Sequence, residues 1–283
     1  MKSKAFVYLF DVTDGNPNGD PKMNNSPRLK LDGRIWVTSE SQKRKVRNYW
    51  EDICNEELFV TRGPSLNSKI EGLEGKTTKE KNASLLKKYI DARVFGAVAS
   101  TGKSSNNGEK DEDASNEDNK KKKGKGSKSV TAGVVHGPVQ IFDAVSINKP
   151  DIENTQLTRV VSTTGDDNHT MGTRYKVDYA VFKGSGHVSV VRAEKSGMTE
   201  KDEKLFFEAL ENMFVNHSSN SSGIQRIRKI FVFERDATTV DVGSALDAVN
   251  VELVCEFPTS FDDVKVSIDK SKLPKGMTVK EIL

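Results

Sequence analysis

The sequence predicts an α+β fold of ferredoxin-like (RRM-like) topology, and three observations predict it. Residues 5–12, AFVYLFDV, are a nearly continuous apolar run of strand length, the pattern of a central strand covered on both faces. Two later segments carry apolar residues at helical spacing: Val46, Trp50, Ile53, Cys54 and Leu58 in one, Leu205, Ala209, Leu210, Met213 and Phe214 in the other. Runs of strand composition lie between and after them. The order is therefore strand, helix, strand, strand, helix, strand, which is the ferredoxin-like order.

Phe6, Tyr8 and Phe10 share one face of the first strand. In RNA-recognition sheets such a row stacks on bases. A row under a packed helix reads the same, and the core assignment is preferred. The strand runs into GNPNGDP, where Gly15 and Gly19 permit close backbone approach and Asn16 and Asn18 can donate hydrogen bonds.

The first helix is predicted from Glu40 to Leu58, with Ser39 and Gln42 at capping-box separation. Its first two turns hold Lys43, Arg44, Lys45 and Arg47, although acids are preferred at a positive helix start. A polyanion docked on the backbone N–H groups, on the hydroxyls of Thr38, Ser39 and Ser41 and on the four cations would account for that inversion. A solvated basic face balanced by Glu51, Asp52, Glu56 and Glu57 would do so equally, and charge alone leaves both open.

Residues 103–128 contain no aliphatic side chain except Ala114 and divide into an acidic and then a basic block. Such a stretch cannot offset its ordering entropy by burial and is predicted to be disordered. The lysines from Lys120 to Lys128 could bind a polyanion, but a solvated insertion is the preferred reading. Strand composition returns at 133–148, from Tyr175, and in GHVSVVRAE from Gly186. Between the first two lies a long hairpin with a Gly-Asp-Asp-Asn tip, flanked by Arg159, Arg174 and Lys176, with Met171 a candidate wedge beside the tip. Thr199 caps the second helix, KIFVFERD forms the fourth strand, and NVELVCEF is a weaker strand run in the tail.

Net charge is only +3, so the totals neither demand nor exclude a polyanionic partner. Two cysteines with no metal spacing fit a reducing, cytoplasmic compartment. The apolar run Ala5–Phe10 is too short for a signal peptide or a membrane span. His136, His169, His187 and His217 have no metal-ligand spacing, and no nucleotide-binding glycine fingerprint or nucleophile elbow is present. His169, at the hairpin tip, remains open as an RNA contact. An enzymatic alternative is a metal-dependent ribonuclease in which Asp11, Asp14, Asp20 and Asp32 gather a divalent cation. Asp14 and Asp20, however, lie in turns where Asp is favoured for local hydrogen bonding.

Six blocks in order, LFDVTDGNPNGDP, VTSESQKRKVRNYW, DARVFGAVAST, GPVQ, TMGTRYKVDYAVFKGSG and AEKSGMTEKD with LENMF after it, resemble the RNA-binding backbone subunit of type I CRISPR surveillance complexes (Cascade). The resemblance is greatest to subtype I-C and next to I-B, and spans roughly residues 4–235. It implies a right-hand shape: a ferredoxin-like palm (1–60 and 133–240), a hairpin thumb (155–177), an inserted finger region (61–132) and a C-terminal extension (241–283). It further implies a non-catalytic subunit without cofactor that polymerises with copies of itself along a CRISPR guide RNA, beside other subunits of the complex. The guide is displayed for pairing with target DNA, so specificity lies in base pairing.

The residues expected to contact RNA are Asn16, Asn18 and Gly19 in the loop, Ser39, Ser41, Gln42, Lys43, Arg44 and Arg47 at the helix start, and Gln140 in the palm strand. In the thumb they are Arg159, His169, Thr170, Met171, Arg174 and Lys176. Ser41, Lys43 and Arg44, the stretch Gly137–Gln140, and Thr170, Met171, Gly172 and Arg174 carry over from the family motifs. Gln42 departs from them, standing where relatives usually have an apolar residue, and the 103–128 insertion is longer than theirs. A generic single-stranded nucleic-acid binder is a third possibility, and predicts a monomer that binds without cooperativity.

Overall fold

The computed structural model describes residues 1–99, 131–158 and 171–283. The 103–128 segment, the hairpin tip, Arg159, His169 and Thr170 lie outside the described residues. β1 (Lys4–Gly15) leads through the short pair β2 (Gly19–Asp20) and β3 (Ser26–Pro27) and then β4 (Trp36–Val37) to α1 (Ser39–Asp52). Helices α2 (Leu66–Glu71), α3 (Thr78–Lys88) and α4 (Ile90–Phe95) precede the paired strands β5 (Gly96–Ala99) and β6 (Gly133–His136). Next come β7 (Val139–Ile141), β8 (Ala144–Ser146), β9 (Ile152–Thr158), the long β10 (Met171–Val188), α5 (Val190–Ser196), α6 (Glu200–Asn212) and β11 (Ile224–Arg235). The tail adds α7 (Val242–Ala248), the pair β12 (Val249–Leu253) and β13 (Val264–Ile268), and β14 (Met277–Glu281).

The result is a mixed α/β fold on one large antiparallel sheet of order β14-β11-β1-β10-β8-β4, with β7 and β9 also pairing β10. β1 is hydrogen-bonded on both sides, to β10 and to β11. Its continuous apolar run follows from burial on both faces. Phe6, Tyr8 and Phe10 are fully buried beneath the helices with Val46, Trp50 and Phe206, so the aromatic row is core. Ala5 and Val7 pack on the opposite face against Ala245, Ala248 and Met277 of the tail.

Three boundaries differ from expectation. α1 starts after Thr38, whose hydroxyl accepts from Ser41 N, and not after Ser39. It ends at Asp52 and not near Leu58, because Asn55 takes a left-handed φ of 53°, a conformation Asn tolerates and one that closes a helix. GHVSVVRAE divides: Gly186–Val188 completes β10, and Ser189 caps α5. The tail carries a helix and three strands, all docked, where only one strand run was legible.

β1 also carries one buried charge. Asp11, 1% exposed, accepts from Tyr179 Oη at 3.0 Å and from Arg228 Nε at 2.9 Å, joining the three central strands. Burial, followed by the nearby Asp11 charge, pushes the Tyr179 phenol well above its ordinary range and keeps it a donor. Asp11→Ala is expected to cost about 3 kcal/mol, the lower end for a buried pair because Arg228 can regain water. A urea titration that shows no fall in midpoint would contradict this.

Candidate nucleic-acid interface

The loop after β1 is built by its own side chains. Asn16 N donates to Ser221 O at 2.9 Å and Asn16 Nδ2 to Asn25 O at 2.6 Å, while Asn18 Oδ1 accepts from Thr38 N at 3.0 Å. A Cβ on Gly15 would meet Ser222 O at 2.2 Å and one on Gly19 would meet Asn25 O at 2.8 Å. The glycines therefore serve close approach of protein backbone to protein backbone. The turn chemistry ties the end of β1 to the cap of α1 and to residues 219–225.

At the start of α1 the expected contacts separate into three groups. Ser41, Lys43 and Arg44 lie at the partly exposed margin. Lys43 Nζ stands 5.8 Å from the Phe95 ring centroid, and burial lowers its pKa from the ordinary lysine value. Arg44 donates to Val60 O at 3.2 Å and reaches Glu51 at 3.4 Å. Ser39 is engaged locally, its N–H taken by Asp143 at 2.8 Å and its hydroxyl bonded to Glu40. Arg47 is committed to Asp91 at 2.9 Å, a carboxylate that also accepts from Phe59 N and Val60 N.

Gln42 corrects the expectation. It is fully buried, its amide donating to the carbonyls of Val37, Thr38 and Phe142 while its oxygen accepts from Tyr8 Oη. It has no surface to offer a ligand and instead fixes the helix start. Sequence reasoning left Asp143 out of the site and counted Lys45 only as one of the four cations open to a polyanion. Asp143 carries no local motif. Lys45 stands one position before Val46, the only one of the two read as inward from the sequence.

Lys45 Nζ is buried at 3.4 Å from Pro17 O and 3.4 Å from Gln225 Oε1, and 5.1 Å from the Phe214 ring centroid. It has no carboxylate partner among the described residues. Burial pulls its pKa down to about 8, and burial with the Lys45 charge pulls His217 down to about 4.

Gln140 lies opposite His187 on β10, and its amide donates to Gly137 O at 3.1 Å. The structure brings the loop, the helix start and the end of β7 together, through Asn18 to Thr38, Asp143 to Ser39, and Phe142 to Gln42. The thumb residues stand apart on the β9–β10 arm, where Met171 pairs with Thr158 and Arg174 with Thr155. Lys176 Nζ meets Asp14 at 3.0 Å, Glu153 at 3.3 Å and Asp178 at 3.7 Å. Those bonds to Asp14 and Glu153 raise its pKa.

The four aspartates of the ribonuclease alternative are each paired with a cation. Asp11 is held by Arg228, Asp14 by Lys176, Asp20 by Arg28 at 3.2 Å and Asp32 by Arg34 at 2.7 Å. Among the described residues no three His, Cys, Asp or Glu side chains are placed to hold a metal, and no helix is long and apolar enough to cross a membrane.

This is an α/β protein whose large antiparallel sheet extends into a two-stranded arm and whose first long helix begins with a run of cations. The chain belongs to the family described as CRISPR-associated protein Cas7, which it matches over residues 2–269. It is similar to the CRISPR-associated protein Cas7 of Haloferax volcanii, 27% identical over 241 residues that cover 77% of this chain and 67% of that protein. Its fold is like that of a chain in a solved "CRISPR RNA-guided surveillance complex, pre-nicking", with a TM-score of 0.50 and 13% identity, covering 86% of this chain and 81% of that one.

The unpaired Lys45 makes a pH prediction. Below about pH 8 the ammonium is charged in both folded and unfolded chains, so folding bears a constant desolvation cost. From about pH 8 to about 10.5 the folded chain binds fewer protons, and this cost disappears. Lys45→Met should therefore be more stable than wild type at pH 7, by on the order of 3 kcal/mol. The advantage should vanish above about pH 10.5 in paired urea titrations. A gap that does not change with pH would contradict the assignment.

Proposed function

We propose that the chain is the guide-RNA-binding backbone subunit of a type I CRISPR surveillance complex, of the subtype I-C kind. Copies polymerise in a helical filament along the guide and display it for pairing with target DNA, cutting neither strand. The order β11-β1-β10-β7, with α1 and α6 as the helices, supports a ferredoxin-like palm. The β9–β10 arm supports a thumb, residues 61–132 a finger region and residues 241–283 an extension that covers the second face of the sheet.

The observation that carries this reading is the open margin of α1 in a Cas7-family chain. Ser41, Lys43 and Arg44 remain at the surface, with Lys43 in no ion pair among the described residues, after Gln42 and Arg47 have been used to hold the helix in place. Hydroxyl, ammonium and guanidinium groups within about one turn suit phosphate oxygens and carry no base information. Arg174, Lys176, Asn16, Asn18, Gly19 and Gln140 would complete the path from the arm to the palm edge. The ribonuclease alternative has no specific observation in its favour.

The test is the mass and nucleic-acid content of the protein purified with a CRISPR guide RNA. Wild type should form multi-subunit particles that dissociate as salt rises. Lys43→Ala with Arg44→Ala should weaken assembly by about tenfold or more and flatten the salt dependence by about 1.4 in log–log slope. The guide should stay intact in Mg²⁺ or Mn²⁺. A monomer indifferent to RNA, or a wild type that degrades the guide while Asp20→Asn does not, would overturn the proposal.

A further inference from the structure

A groove on the other side of α4 carries charge that the reading above does not use. Two clefts, of about 520 Å³ and 350 Å³, adjoin between the end of α3, β6, α5 and the start of α6, and share Leu86, Lys195 and Ser196. Lys87, Arg192, Lys195 and Lys201 line them, and all four are exposed. None of the four is in an ion pair among the described residues. The two acids of the lining are Asp202, already held by Arg93 at 2.8 and 3.1 Å, and Glu194. Four free cations therefore face one uncompensated carboxylate.

Helix dipoles explain only part of this. Lys87 and Lys195 stand in the last turns of α3 and α5, where a cation is favoured. Lys201 stands in the first turn of α6, the end that disfavours one, and Arg192 lies near the start of α5. The other first-turn charges of α6, Glu200, Asp202 and Glu203, are acids, so Lys201 is the exception at an otherwise ordinary helix start.

The groove is not a continuation of the α1 margin. On α4, Asp91 and Phe95 face Arg47 and Lys43, while Arg93 faces Asp202. Residues two apart on a helix are turned by about 200°, so the two cationic surfaces flank α4 on opposite sides. The cleft linings include no Phe, Tyr or Trp, and His136 is their one aromatic ring, so the groove offers cations for phosphates and little to stack on bases.

We propose that this groove is a second track for a phosphodiester strand, separate from the one on α1 and gripping backbone without reading sequence. It goes beyond the guide-binding role and stands whether or not α1 carries the guide. RNA and DNA backbones share the chemistry.

The test pairs Arg192→Ala with Lys195→Ala, in wild type and in the Lys43→Ala, Arg44→Ala background. Binding of single-stranded DNA, single-stranded RNA and duplex DNA, all of mixed sequence, is measured against salt. All four residues are exposed, and an unchanged melting temperature checks folding. The groove pair should lower the log–log salt slope by about 1.4 for a single strand or about 1.8 for duplex in both backgrounds. The strand with the larger loss of affinity is the one the groove holds. An unchanged slope for all three, a loss that disappears in the α1 background, or no binding at low salt would overturn the proposal. Failure to assemble on guide RNA with the slope change intact would count against the α1 reading alone.

Discussion

The placement of the α1 start depends on the buried amide of Gln42. α1 crosses the sheet, and its start must be held at a fixed height above β1, β4 and the end of β7 for its outer turns to face one direction. Gln42 does this with one side chain, donating to the carbonyls of Val37, Thr38 and Phe142 and accepting from Tyr8 Oη. Burial raises the Tyr8 pKa and keeps the hydroxyl a donor. In a low-dielectric interior such a bond is strong, and each partner left alone costs about 1–3 kcal/mol. An apolar residue at position 42 could fill the space but would strand the Tyr8 hydroxyl and at least one carbonyl. The polar residue is thus bound to Tyr8 by mutual necessity.

The same economy governs the basic residues of the helix. Arg47 clamps Asp91, which in turn gathers the amides of Phe59 and Val60 and fixes the chain that leaves α1. Arg44 is steadied by Glu51, two turns on. The two accounts of this charge run, a docked polyanion and a balanced face, therefore apply to different residues. Arg47 is balanced, Lys43 is open, and Lys45 is turned inward beneath the loop. The inward ammonium of Lys45, with no carboxylate partner among the described residues, is carried at a cost to stability.

How much of this was legible depends on whether the signal was local. The central strand, both long helices and the aromatic core row follow from periodicity within one element, and the structure contains them. The loop after β1 was legible as turn chemistry, but its purpose was not, because the partners of Asn16 and Gly15 lie at Ser221 and Ser222, two hundred residues away in sequence. Gln42 read as surface because polar residues near a helix start usually are. Its burial is decided by Tyr8 and Phe142, which no window around position 42 contains. The cations at positions 87, 192, 195 and 201 form no run at all, and only the packing of α3, α5 and α6 assembles them.

The arm shows how the sheet transmits position. β10 is one strand of 18 residues: from Val177 onward it is core, paired with β1, and before Val177 it pairs with β9, whose residues after Ile152 are exposed. No glycine or bulge interrupts it at the crossing, so the arm leaves the sheet along the direction β1 and β10 already share. Lys176 stands at that crossing, and its three carboxylates come from β1, β9 and β10 itself. Exposed ion pairs of this kind add little stability singly. Three acids converging on one ammonium restrain direction more than they add stability, and the loop that Asp14 begins is the loop that reaches Thr38 and caps α1. The arm and the helix start are therefore referenced to the same short segment of chain, and a displacement of either one must be carried through residues 14–18 to the other.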